Sequence, residues 1–142
     1  MAETTQNPLQ VIFNELIDFV AGITGNRKII FLDRRPDKTE DSMTQFVVIT
    51  LPAEIKDIVA GSSDFALKTT GILYCYNRAK SNATLNLNSQ SQFAYSIKKG
   101  FPLNAEHITA TKPTLLMEGY DGNGFHVTSL TFRLRTKPNA FK

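Results

Sequence analysis

Near its C-terminus the chain reads Asp121-Gly122-Asn123-Gly124 between two runs of alternating residues, and no other feature narrows the fold as much. Glycine and asparagine tolerate the positive φ of tight hairpin turns, so the run after this tetrapeptide should return antiparallel to the run before it. In the returning arm, His126, Thr128, Leu130, Phe132 and Leu134 share one face, while Val127, Ser129, Thr131, Arg133 and Arg135 share the other. That is the alternation of a sheet with one buried face. The outgoing arm reads as His107 to Thr111, an interruption at Pro113, and a resumed strand from Thr114 to Tyr120.

The rest of the chain supplies what covers that buried face. Asn7 is placed to cap a helix and Pro8 to open it, since the first helical position needs no N–H. Leu9, Ile12, Phe13, Leu16, Ile17 and Val20 then recur at spacings of three and four, one apolar stripe ending at Gly22 or Gly25. A short strand is expected at Lys28 to Leu32, a hydrophilic loop at Asp33 to Thr44, and a strand at Gln45 to Leu51 stopped by Pro52. Ala53 to Asp64 is ambiguous, with one helical turn at most. Phe65 to Asn77 reads as a long central strand. Leu67, Thr69, Gly71, Leu73 and Cys75 face one way and Lys68, Thr70, Ile72, Tyr74 and Tyr76 the other. Arg78 to Leu87 is a polar connector, and Asn88 to Lys99 a second helix capped by Asn88 and stopped by Gly100. The expected fold is one α+β domain spanning residues 1–142. It has a mostly antiparallel sheet of about five strands, two helices on one face and a closing hairpin, with residues 1–7 and 137–142 as frayed tails.

The totals fit that size of domain. Apolar residues make up 42% and charged residues 20% of the 142 residues, close to globular averages. The apolar runs are too short for a membrane helix, and the polar segment Met1 to Asn7 lacks the basic flank of a secretion signal. A single cysteine, Cys75, leaves no internal disulfide, and the expectation is a chain that folds in a cytoplasm and is not secreted. Net charge is +3, unevenly divided: residues 1–66 carry ten acids and six bases, residues 67–142 ten bases and three acids. A basic half steers toward nucleic acid or an acidic partner surface; scattered solvated charge is the plainer reading.

Catalytic chemistry is sparse. His107 and His126 lie on expected strands in no metal-ligand spacing, and a lone strand histidine is more often structural than a ligand or base. Cys75 sits in an apolar strand without the basic, open setting that a nucleophile needs. Asp33, Asp37, Glu40 and Asp41 are loop acids beside Arg34 and Arg35 with no calcium-loop spacing. The glycines at 119 to 124 turn a hairpin with no helix after it to cradle a phosphate. Catalytic residues, cofactors and metals are therefore all expected to be none. For nucleic acid the candidates are Arg133 and Arg135 with Lys98, Lys99 and Lys137, for backbone contact alone.

The element order, with the segments FVVITLP (46–52) and GILYCYNRAKS (71–81) and the closing Asp121 to Phe132, resembles the small tail-terminator and head-to-tail joining proteins of tailed bacteriophages. The resemblance runs from Pro8 to Arg135 in order and texture. It implies a non-enzymatic virion protein, made in a bacterial cytoplasm, that assembles as a ring, commonly hexameric. The ring would cap the tail tube and dock to the head connector, with non-specific DNA contact in its lumen. An acidic half and a basic half suit the head-to-tail contacts that close rings.

The residues expected at a subunit or partner interface are Arg34, Arg35, Tyr74, Tyr76, Arg133 and Arg135. Two other readings stand beside this one. The first is a small monomeric or dimeric binding module that presents its basic strand face to nucleic acid or an acidic partner. The second is a small enzyme with His107 or His126 as base.

Overall fold

A computed structural model of the chain describes residues 7–33, 43–51, 67–82, 84–138 and 140. The elements run in the order α1 (Pro8–Thr24), a 3₁₀ turn (Arg27–Ile29), β1 (Ile30–Leu32), β2 (Gln45–Thr50), β3 (Lys68–Arg78), α2 (Leu87–Lys98), β4 (Leu103–Asn104), β5 (Ile108–Tyr120) and β6 (Phe125–Thr136). They form an α+β fold whose six strands lie in the order β1-β2-β3-β6-β5-β4.

The first helix forms as its sequence dictates. Asn7 Oδ1 accepts the N–H groups of Leu9 and Gln10, and Pro8 occupies the first turn. Gly25, at φ 75°, closes the helix by donating to Ala21 O. Ile12, Leu16 and Val20 are buried against the sheet.

Several boundaries differ from the sequence reading. The first two residues of the expected first strand, Lys28 and Ile29, belong to the 3₁₀ turn, and the remaining three pair parallel with β2. Parallel neighbours need a long crossover, and the expected hydrophilic loop that separates β1 from β2 in sequence falls largely, at residues 34–42, outside the described residues. The sheet is therefore mixed, and its sixth strand is the two-residue β4, too short for any period to reveal. β5 is one strand: Lys112, at φ 56°, and Pro113 form a register shift within it and do not break it. α2 starts two residues earlier than Asn88 would allow, with Asn86 at the N-cap and no side-chain bond from it. Gly100 is absent from the positive-φ residues. Its lack of a side chain serves close packing, because a Cβ there would stand 2.7 Å from Ile23 Cδ1 on α1.

Both helices pack on one face of the sheet, as expected. The core between them joins Ile12, Leu16 and Val20 of α1 and Phe93 and Ile97 of α2. From the sheet come Val47, Ile49, Leu73, Cys75, Ile108, Ala110, Leu130, Phe132 and Leu134. The polarity of α2 also has a structural reason. Its first turn rests on buried polar strand residues: Ser89 Oγ donates to Asn77 Oδ1 at 2.9 Å, Gln45 Nε2 bonds the same oxygen, and the Gln90 amide bonds Thr128 Oγ1.

Candidate functional site: the outer face and the distal hairpin

The sheet face opposite the helices divides into two unlike ends. Strand register sets the rows. Lys68, Arg135 and Thr109 stand side by side on β3, β6 and β5; Thr70, Arg133 and Thr111 form the next row; Ile72, Thr131 and Thr114 the one after. Lys68, Arg133 and Arg135 are exposed. A shallow polar depression of about 390 Å³ opens between Lys68, Thr69, Thr70 and Arg133.

At the far end of the same face is a second apolar core of Phe46, Val48 and Phe125. Phe46 stacks on Tyr76 with ring centroids 4.3 Å apart and meets Phe125 edge-on at 5.0 Å. The Arg78 guanidinium lies 4.6 Å over the Phe125 ring and donates to Met43 O. Tyr74 and Tyr76 are thus half-buried against this cluster. Arg133 and Arg135 stay exposed in the basic corner, while Arg34 and Arg35 lie outside the described residues.

The turn that most constrains the sequence is built as a side-chain-capped loop. Asp121 Oδ1 accepts the N–H of Asn123 at 2.7 Å and of Phe125 at 3.1 Å, and the glycines Gly122 and Gly124 take positive φ. Asn123 does not. Behind the turn, β5 is unpaired along one edge from Thr111 to Tyr120 among the described residues. Leu116 and Met117 are 61% and 55% exposed and belong to opposite faces, the first opposite Ser129 and the second opposite Thr128. Met117 also borders an apolar groove of about 540 Å³ against α2, with Tyr95, Ala94 and Leu115 on its walls.

The groups considered for catalysis are engaged otherwise. His107 Nδ1 is 2.8 Å from Glu15 Oε2, and the His107 backbone N–H donates to the other oxygen of that carboxylate, so the pair ties α1 to the start of β5. His126 rests against the Tyr120 ring at 5.3 Å. Cys75 is wholly buried, and burial pushes its thiol up to about 12. Among the described residues no cluster of three or more His, Cys, Asp or Glu is placed to hold a metal. Asp37, Glu40 and Asp41 fall outside the described residues. No described helix is long and apolar enough to cross a membrane.

Of the basic residues read from the sequence, Arg133 and Arg135 are brought together. Lys98 and Lys99 end α2, on the helical side of the sheet, and do not join them. Lys68 was not singled out for binding. Its place on the outward face of the third strand was legible from alternation, but its pairing with Arg135 depends on β3 meeting β6 across the chain.

No protein-family model matches the chain, and no curated protein does. The fold is nonetheless shared with solved structures. A protein whose description states no function aligns over 92% of this chain and 94% of its own, at 13% identity and a TM-score of 0.59. A chain from the virion of a native gene transfer agent particle aligns over 84% of both chains, at 11% identity and a TM-score of 0.50. At identities this low the likeness is one of fold alone.

Proposed function

We propose that the chain is a non-enzymatic virion structural protein of the tail-terminator or head-to-tail joining kind. It assembles as a hexameric ring that caps the tail tube and presents a docking surface to the head connector. The observation that carries the reading is the shared fold with a chain of a gene transfer agent virion, extending over 84% of both chains. The geometry of the distal hairpin supports it. A projection with exposed apolar residues on both faces, Leu116 on one and Met117 on the other, suits insertion between neighbouring copies. Lys112, Pro113 and the bulge before Gly119 interrupt the open edge, so side chains in the regular stretch 114–117 carry the contact more than extended backbone pairing. Arg133 and Arg135 then serve a partner other than the next subunit, and Tyr74 and Tyr76 brace the sheet from behind.

Light scattering of the purified chain tests this. A mass near that of a hexamer is expected, and electron microscopy should show closed rings. A strict monomer at high concentration, encoded away from portal, capsid and tail-tube genes, would sink the reading. The basic corner favours a second reading, a monomeric or dimeric module that binds an anionic partner, and the same mass measurement separates the two.

A further inference from the structure

We propose that the corner formed by Lys68, Arg133 and Arg135 binds the phosphate backbone of nucleic acid without reading its sequence. Lys68 stands directly opposite Arg135, and Arg133 lies one row along the same face. Like charges placed opposite one another on a strand pair repel. None of the three is ion-paired among the described residues, so none of those residues offsets the repulsion. All three are exposed. An external polyanion satisfies all three cations together.

The surroundings favour phosphate over an acidic protein. The cations are interleaved with the hydroxyls of Thr70, Thr109 and Thr111, donors of the kind that bond phosphate oxygens. A protein partner would want an apolar centre with a polar rim. Among the described residues no apolar side chain of β3 or β6 enters these outer-face rows before Ile72, and the aromatic residues of this face gather at the opposite end. Base reading is not expected. Tyr74 and Tyr76, the side chains that would stack on bases, are packed against Phe46, Val48 and Phe125. The corner belongs to a single protomer, so the inference holds whether or not the chain forms a ring.

Fluorescence anisotropy of the full chain with a short labelled duplex tests the proposal. Binding should weaken steeply with salt, the log–log slope approaching about −2.7 for three phosphate contacts. Duplexes of unrelated sequence should bind alike. Lys68→Ala, Arg133→Ala and Arg135→Ala should each reduce that slope by about 0.9, and the triple variant should bind at least about tenfold more weakly at low salt. Lys98→Ala with Lys99→Ala, on the other side of the sheet, should bind as the parent does. Because the cations repel, Arg135→Ala should melt no lower than the parent. A fall of several degrees would reveal an internal partner and overturn the proposal. It is equally overturned by a parent chain that ignores the duplex at low salt, by a triple variant that binds normally, or by polyglutamate competing as well as the duplex at equal charge.

Discussion

Gly71 on β3 lies directly opposite Phe132 on β6, and the Phe132 ring fills the space that a side chain at position 71 would need. A Cβ there would stand 2.8 Å from Phe132 Cε2 and closer still to Cζ. The ring in turn meets Phe101 at 5.5 Å, and Phe101 meets Phe19 of α1 edge-on at 5.1 Å. A glycine in a central strand therefore lets an aromatic chain run from the sheet to the first helix.

Gly71→Ala should thus destabilise by about 1–3 kcal/mol through overpacking. Phe132→Ala should cost about 3–5 kcal/mol through the cavity it leaves. Combined, the two should cost less than their sum, because the alanine methyl enters space the ring has vacated. Urea denaturation of the four proteins measures this, and strict additivity would contradict the shared space.

Cys75 should resist thiol reagents in the native chain at mildly alkaline pH and react once the chain is unfolded, since burial holds the folded thiol near 12 against an ordinary 9.0. The same shift sets a pH dependence. Above about pH 9 the unfolded chain releases a proton that the folded chain keeps. The Cys75 contribution is therefore intact below that pH and falls toward pH 12, by up to about 1.4 kcal/mol per unit. The stability difference between the parent and Cys75→Ala, followed against pH, isolates the cysteine's contribution.

The two helix starts should answer differently to the same change. Asn7→Ala removes the acceptor of two backbone N–H groups and should cost about 0.5–2 kcal/mol. Asn86 makes no capping bond, so Asn86→Ala should fall within about 0.5 kcal/mol of the parent. Thermal melts of the pair check this.

At the hairpin, Asp121→Ala leaves the N–H groups of Asn123 and Phe125 without their acceptor and should cost about 1–2 kcal/mol. Asp121→Asn keeps an oxygen in place and should recover much of that. Hydrogen exchange at Phe125 should quicken in the alanine variant alone.

For the assembly, Leu116→Glu with Met117→Glu changes two exposed side chains and should shift stability by no more than about 1 kcal/mol. It should nonetheless reduce the oligomer to protomers in light scattering. An unchanged hexamer would move the subunit contact away from the distal hairpin.

What the chain by itself determined was local. The spacing of Ile12, Leu16 and Val20 marked α1 and its buried face, Asn7 and Pro8 marked its start, and Asp121 to Gly124 marked the hairpin, because each depends on residues within a turn or two of one another. Alternation also sorted both faces of β3 and β6 correctly, down to the exposed Arg133 and Arg135. A strand at β1 was legible, but its parallel pairing, the two-residue β4 and the cap at Asn86 were not, since too few residues carry any period there.

The basic corner was decided only by tertiary structure. Lys68 and Arg135 are far apart in the chain, and each looks like an ordinary surface charge on its own strand. They become neighbours because β6 folds back to lie against β3, a pairing set by burial of Leu73, Leu130, Phe132 and Leu134 under the two helices. The hairpin turn was written into a few adjacent residues. The juxtaposition of like charges came as a consequence of burying the opposite face.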